Sequence, residues 1–133
     1  MVSFALHPRL AADTFAVGDL ELCRVLLMND ARYPWLILVP RRDGLREIHE
    51  LGTADRAMLM DESCRVAEVM QAQFAPDKLN IGVLGNIVPQ LHMHHIARFT
   101  GDPAWPGPVW GHSPAVAYAD RNRLIALRAA LGC

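Results

Sequence analysis

Between residues 14 and 40 the apolar positions come in short runs, each bounded by turn-forming residues. That is the rhythm of strands. Thr14 to Val17 reads as a short strand and Gly18-Asp19 as a hairpin turn. Leu20 to Met28 follows as a second strand, with Leu20, Leu22, Leu26 and Met28 on one face by period two and Arg24 as the exception. Asn29 to Pro34 is a loop. Trp35-Leu-Ile-Leu-Val39 is continuously apolar and ends at Pro40, the pattern of a central strand. These segments predict an antiparallel meander.

After Leu51 the period changes. Thr53 is a fitting N-cap and Asp55 suits the first turn of a long helix. Met60, Cys64, Ala67, Met70 and Phe74 then recur at helical spacing, a core-facing stripe, and Pro76 stops the helix. Leu79 to Leu84 returns to a strand, Gly85-Asn86 to a turn, and Leu91 to Phe99 to another strand. Gly101 to Pro114 holds four prolines, two tryptophans and three glycines, so it reads as irregular extended chain. A last helix is expected from about Ala119 to Leu131, with Leu124, Leu127 and Leu131 on one face and Gly132 as C-cap. The sum is an α+β fold in a single domain, residues 1–133: an antiparallel sheet of about five strands, one long helix and a C-terminal helix packed on it.

Composition narrows the class further. Apolar residues make up 52% of the 133 and charged residues 20%, the balance of a folded globular chain rather than a disordered one. A formal net charge of −1 with no basic run argues against nucleic-acid binding and leaves room for a small anionic ligand held by a few local donors. Cys23, Cys64 and Cys133 are far apart and form no C-x-x-C pair. No disulfide framework is expected, Cys64 reads as a buried thiol, and a reducing cytoplasm fits. No apolar stretch approaches the ~20 residues of a membrane span. The start, Met1 to Arg9, is too short and too soon interrupted for a secretory leader. The expectation is a soluble cytoplasmic protein with no membrane partner.

Candidate chemistry concentrates in Val88-Pro-Gln-Leu-His-Met-His-His-Ile96. On a strand, Gln90, His92 and His94 share one face while Leu91, Met93 and His95 point the other way. Leu91 and Met93 then enter the core, and His95 is either partnered there or exposed at the far side. A neutral imidazole is a competent nucleophile near pH 7. Its attack on phosphorus gives a phosphoramidate, which water cleaves. A second imidazole two residues along stands roughly 7 Å away by backbone rise, so both rings reach one phosphate. Protonated, the second ring holds negative charge or helps a leaving oxygen depart. The same H-x-H spacing suits two metal ligands, with a third from His7, His49, His112 or an Asp. Six histidines in the chain also allow an incidental cluster, and spacing alone leaves these readings open. Elsewhere, Arg41, Arg42 and Arg98 read as solvated strand-end charges ahead of phosphate contacts. Trp105 and Trp110 suit either base stacking or packing of the irregular tail. His112 reads as a surface turn residue, and His7 and His49 carry no pattern.

The stretch Leu79-Asn-Ile-Gly-Val-Leu-Gly-Asn-Ile-Val-Pro-Gln-Leu-His-Met-His-His-Ile-Ala-Arg98 resembles the signature segment of the histidine triad (HIT) family. That family's pattern is His-φ-His-φ-His-φ-φ, with φ apolar. Aligned on its last two histidines, it puts Gln90 on the first histidine, His92 on the second and His94 on the third. Asp102-Pro-Ala-Trp-Pro-Gly-Pro-Val-Trp110-Gly is similar to the Trp/Pro-rich segment that follows the triad in a bacterial subgroup. The order of elements agrees too, so the resemblance covers most of the chain. It implies a nucleotidyl hydrolase or transferase acting on phosphoanhydride or phosphoramidate bonds of a small nucleotide substrate, with no cofactor and no metal ion in the bond-making step. By the resemblance, His92 forms a nucleotidyl-histidine intermediate and His94 contacts the phosphate and leaving group. Asn80 approximately matches an Asn that helps form the site. Gly85-Asn86 matches the glycine turn whose N–H groups approach phosphate, and Asn29 or Asp30 the residue that holds the ribose. Members of this size are usually homodimers, and the same is expected here. Two departures bear on activity. Gln90 can hydrogen-bond but cannot titrate, and Asp43 follows Pro40-Arg41-Arg42 where many members carry a histidine. The alternatives are a nucleotide-binding module that lost turnover with Gln90, or a metal-binding protein using His92 and His94.

Overall fold

The apolar run Trp35–Pro40 forms the buried centre of a five-stranded antiparallel sheet in the computed structural model, which describes residues 4–133. Met1 to Ser3, the start of the segment read for a leader, lie outside the described residues. The elements run α1 (Pro8–Asp13), β1 (Thr14–Asp19), β2 (Cys23–Met28), β3 (Trp35–Pro40), α2 (Thr53–Phe74), β4 (Lys78–Gly82), β5 (Met93–Arg98) and α3 (Asn122–Leu131). Strand order is β1-β2-β3-β5-β4, with every neighbour antiparallel. The α+β class and the five strands agree with the sequence expectation.

Both faces of the sheet are covered, which is why β3 is apolar at every position. On one face Val25, Leu27, Leu36 and Leu38 pack with residues of α2 and α3 such as Val66, Met70 and Leu127. On the other, Leu26, Trp35, Ile37, Val39 and Ile96 are covered by Leu10 of α1, by Val88, and by Ala104 and Val109 of the irregular tail. The histidine cluster belongs to this second, helix-poor face.

Two-sided burial also explains the errors at β2. The strand starts at Cys23, not Leu20. Leu20 and Leu22 join the helix-side core, whereas Leu26 and Met28 pack on the opposite side. With apolar residues on both faces, period two leaves no inside to read. Gly18 and Asp19 are not the hairpin turn. They pair with Val25 and Arg24 after a bulge between Ala16 and Gly18. The turn is residues 20–22, closed by the Leu20 N–H to the Cys23 carbonyl at 2.8 Å.

The long helix stands where expected but is rotated. Gly52 is its N-cap and Thr53 its first residue. Its buried residues are Leu59, Glu62, Ser63, Val66 and Met70. Of the expected stripe only Met70 is buried, and Met60 and Cys64 are exposed. The buried thiol is therefore Cys23 rather than Cys64, and all three cysteines are free. The polar residues on the inward face each have partners. Glu62 accepts the N–H groups of Leu22 and Cys23, both at 2.8 Å, and the Ser63 hydroxyl meets His95 Nε2 at 2.7 Å. A buried carboxylate is tolerated where donors satisfy it.

The helix ends through Ala75 in the left-handed conformation at φ 46°, ahead of Pro76. β4 and β5 are shorter than Leu79–Leu84 and Leu91–Phe99, the expected spans. α3 begins at Asn122 rather than Ala119 and keeps its Leu124, Leu127 and Leu131 face, with Gly132 as the left-handed cap. α1 and a 3-10 turn at Ile48–Glu50 are absent from the expected elements, because so few residues hold no readable period. Among the described residues no helix is long and apolar enough to cross a membrane.

Candidate active site

β5 lies between β3 and β4 and sets His94 opposite Ile37 and Gly82. The strand begins at Met93, so His92 ends the preceding connection instead of lying on the strand. Alternation still carries through. The rings of His92 and His94 stand 4.8 Å apart, edge to face at 67°, closer than the backbone rise alone would set them. His95 turns to the helix side and is fully buried. Its Nδ1 meets the Met93 carbonyl at 3.2 Å and its Nε2 the Ser63 hydroxyl. Of its two expected placements, the partnered core histidine is the one observed, and burial pushes its pKa down to about 4.

The partners of each ring fix its tautomer. His92 Nδ1 lies 2.6 Å from the main-chain carbonyl of Gln90. A carbonyl only accepts, so Nδ1 donates and Nε2 keeps its lone pair. His94 is reversed. The Trp35 indole N–H donates to its Nδ1 at 3.0 Å, which leaves the ring proton on Nε2. Burial lowers the His92 pKa below the ordinary imidazole value, with the Gln90 carbonyl opposing and His7 adding to the depression. Burial, then the neighbouring His92 and His95, pushes His94 down to about 3. The protonated second ring considered from spacing is thus neutral near pH 7, a hydrogen-bond donor rather than a cation.

Both rings line a cavity of about 410 Å³, together with Arg9 and Leu10 of α1, Met28, Trp35, Trp110 and residues 84–88. Gly85 turns the chain there at φ 79°, a conformation that strains a residue with a Cβ. Gly82 lies across the ladder from His94. A Cβ on it would come within 3.1 Å of the Trp110 ring. Its absence lets that indole stand 5.6 Å from the His94 ring. A second hollow of about 310 Å³ is lined by Asn29, Asp30, Arg32, Val109 and Ser113, and it shares Asp13, Met28, Trp35 and Gly111 with the first.

His92, His94, Gly85 and Asn86 are therefore together in one cavity, and Asn29 and Asp30 line its neighbour. Gln90 and Asn80 line neither. The Gln90 side chain accepts the His7 N–H at 2.8 Å and donates to the Ala5 carbonyl at 2.9 Å, tying down the approach to α1. Asn80 accepts from Arg98 at 2.7 Å. Arg98 is no solvated charge. It is 1% exposed, grips both oxygens of Asp102 at 2.8 and 2.9 Å, and lies within 6 Å of the Tyr33 and Trp105 ring centres. Arg41 bonds the Leu20 and Glu21 carbonyls, and Arg42 pairs with Asp55. Asp30 is buried on Arg32. Burial alone would raise its pKa, but the Arg32 hydrogen bonds hold it below the usual carboxylate value. Asn29 Oδ1 accepts the Tyr118 N–H at 2.9 Å. His49 and His112 are exposed. Among the described residues no three His, Cys, Asp or Glu side chains converge as a metal-ligating group.

Sequence reasoning missed the contribution of α1. His7 caps it by accepting the Arg9 N–H on Nδ1, and Pro8 opens it. A polar cap followed by proline is a known helix start, so that signal was present. Trp35 as the partner of His94 had no local signal, since 59 residues separate the pair.

Residues 9–101 match the family model described as HIT domain. Three solved structures are similar over nearly the whole chain. A histidine triad protein from Bradyrhizobium japonicum is 49% identical, with 97% of this chain and 96% of that chain covered and a TM-score of 0.91. One from Marinobacter aquaeolei VT8 is 53% identical, with 96% and 93% covered and a TM-score of 0.90. One from Sinorhizobium meliloti 1021 is 46% identical, with 98% and 96% covered and a TM-score of 0.92. None of the curated proteins compared with the chain matches it. A family model spanning residues 9–101, close structural likeness to histidine triad proteins, and a His-x-His pair at the end of the central sheet together show that the chain belongs to the HIT domain family.

Proposed function

We propose that this protein hydrolyses a phosphoanhydride or phosphoramidate bond at the α-phosphorus of a nucleotide, through a nucleotidyl intermediate on His92. The observation that carries the reading is the 2.6 Å hydrogen bond from His92 Nδ1 to the Gln90 carbonyl. It leaves Nε2 unprotonated on a ring that lines a cavity beside His94. In the first step the Nε2 lone pair attacks phosphorus and an N–P bond forms. The bond to the leaving group breaks and its electron pair goes to the leaving oxygen or nitrogen, a nitrogen leaving group taking up a proton from solvent as it departs. The imidazole becomes cationic, and its Nδ1–H then binds the Gln90 carbonyl more strongly. His94, protonated on Nε2, donates to a phosphoryl oxygen, and main-chain N–H groups of residues 85–87 add to that stabilisation. In the second step water attacks phosphorus and loses a proton to solvent, the N–P bond breaks with its electrons returning to Nε2, and a nucleoside monophosphate departs.

The Gln90 group that orients His92 is a main-chain carbonyl. A glutamine offers it as well as a histidine does, so the replaced triad position leaves the nucleophile intact. This favours the hydrolase over a binding module that lost turnover with Gln90. The test is a hydrolysis panel of dinucleoside polyphosphates and nucleoside phosphoramidates, run beside His92→Ala. Loss of the nucleophile should lower kcat/KM by about a thousandfold or more. Equal rates for parent and variant would remove His92 from the mechanism.

A further inference from the structure

Neither histidine of the cavity brings a charge to it. Burial holds His92 and His94 neutral near pH 7, yet the reaction proposed above handles an anion. Among the described residues that line this cavity, Arg9 is the only lysine or arginine. The neighbouring hollow is lined by Arg32, but that guanidinium is engaged by both oxygens of Asp30 and by Ser113.

Arg9 is held in place and its donors are free. It lies in the first turn of α1, where its main-chain N–H donates to His7 Nδ1 at 3.1 Å. The His7 N–H in turn donates to the Gln90 side chain at 2.8 Å. The glutamine at the first triad position thus anchors the turn that carries the cation. Leu10, the next residue, packs into the core. The Arg9 side chain itself is 59% exposed, and its ion-pair partner Asp13 stands at 3.8 Å, beyond hydrogen-bonding range. Among the described residues its guanidinium makes no hydrogen bond. So loose and exposed a pair contributes little, and an anionic ligand can take the guanidinium from it.

The two kinds of leaving group make different demands. A departing amine has to take up a proton, and neither ring of the site has one to give: His92 Nε2 is the lone pair that attacks, and the His94 Nε2–H is engaged by a phosphoryl oxygen. A departing phosphate leaves as an anion. It needs charge-assisted donors, which a guanidinium offers in a fork that matches phosphate oxygens. We infer that Arg9 is a specificity-determining residue whose guanidinium binds the departing phosphate, so that the site favours phosphoanhydride substrates over phosphoramidates. The inference rests on the nucleotidyl-transfer reading of His92. As the Nε2–P bond forms, the bond from the α-phosphorus to the bridging oxygen breaks. The electron pair stays on that oxygen, and the phosphate departs as an anion held by Arg9, with no proton transferred to it.

The test uses calorimetric titration of the full chain with the 5′-monophosphates of adenosine and guanosine and with their α,β-methylene diphosphates, whose bridging carbon blocks cleavage. Binding is read without turnover. The parent should prefer the diphosphates by roughly tenfold, the worth of one hydrogen bond between charged groups. In Arg9→Ala that preference should fall to within about twofold, and Arg9→Lys should restore part of it as a point charge without the fork. Thermal melting of Arg9→Ala close to that of the parent shows that the variant is folded. In kinetics, the ratio of kcat/KM for a dinucleoside triphosphate to that for a nucleoside 5′-phosphoramidate should fall by about tenfold or more in Arg9→Ala. An equal loss on both substrates would place the guanidinium on the α-phosphate they share and overturn the assignment. A parent without the diphosphate preference, or an unchanged preference in folded Arg9→Ala, overturns it too and leaves the nucleotide reading standing. Failure of the parent to bind any of the four nucleotides overturns both.

Discussion

Three histidines settle their protons differently at the level of single residues, two in the cavity and one in the core behind it. His92 gives its Nδ1 proton to a carbonyl, His94 receives an indole N–H, and His95 is held between Ser63 and Met93. All three are depressed below the ordinary imidazole value of 6.5, with burial the leading cause. In the unfolded chain each takes up a proton near that value. Over the window between the folded and unfolded values the unfolded state binds more protons, so stability falls as pH is lowered. The loss begins as pH drops through 6.5 and continues towards 4, the folded value for His95. With His94 and His95 both counted, about two protons bind on unfolding near pH 5, so stability falls by roughly 3 kcal/mol per pH unit there. Urea unfolding at pH 5, 6 and 7 reads this directly. Replacing His95 by Gln should flatten the slope, and a parent stability that is level from pH 5 to 7 would refute the account. The facing of His92 and His94 was legible from residue type and alternation alone. The work of Gln90 was not, because its partners Ala5 and His7 lie more than 80 residues away in the chain.

At the scale of elements, the sequence located the long helix but misjudged its inward face. Met60 and Cys64 carry the apolar pattern yet face out, while Glu62 and Ser63 face in. Their polarity has a purpose in the tertiary structure. Glu62 satisfies two N–H groups at the β1–β2 turn, and Ser63 satisfies His95. No periodicity argument can anticipate a carboxylate whose partners lie 40 and 39 residues upstream. Glu62→Ala should leave two buried donors unpaired and destabilise the fold by about 3 kcal/mol, measured by urea unfolding at pH 7. A loss under half a kcal/mol would show that water replaces the carboxylate. Gln90→Ala addresses the other side of the sheet. It should release residues 5–7 and α1, seen as faster amide exchange across residues 5–13. It should also lower kcat/KM, while the main-chain bond to His92 persists. Unaltered exchange there would mean that the latch on α1 lies elsewhere.

At the scale of the molecule, one face of the sheet supplies the helical core, while the other is closed by short, irregular pieces from both ends of the chain. The helical side and the strand order follow from patterns that a sequence displays. The closing pieces, α1 and the irregular segment from Gly101 to Pro114, hold little period, so the shape of the cavity was hidden although its histidines were plain. The sheet leaves β4 as an edge strand, and Ile81, Leu84 and Ile87 at and beyond it are exposed. An open apolar edge of this kind is prone to pairing. We propose that β4 is part of a homodimer contact. Sedimentation should show a dimer for the parent and a shift to monomer for Ile81→Lys. A parent that sediments as a monomer would rule this out. The account as a whole turns on whether His92 Nε2 becomes bonded to phosphorus. The direct measurement is intact mass, followed by peptide mapping, of the slowed variant His94→Ala mixed with a nucleoside 5′-phosphoramidate and quenched at alkaline pH. The prediction is a mass gain of one nucleotidyl group located on His92 and absent from His92→Ala. Product formation with no adduct on His92 at any time point would contradict it.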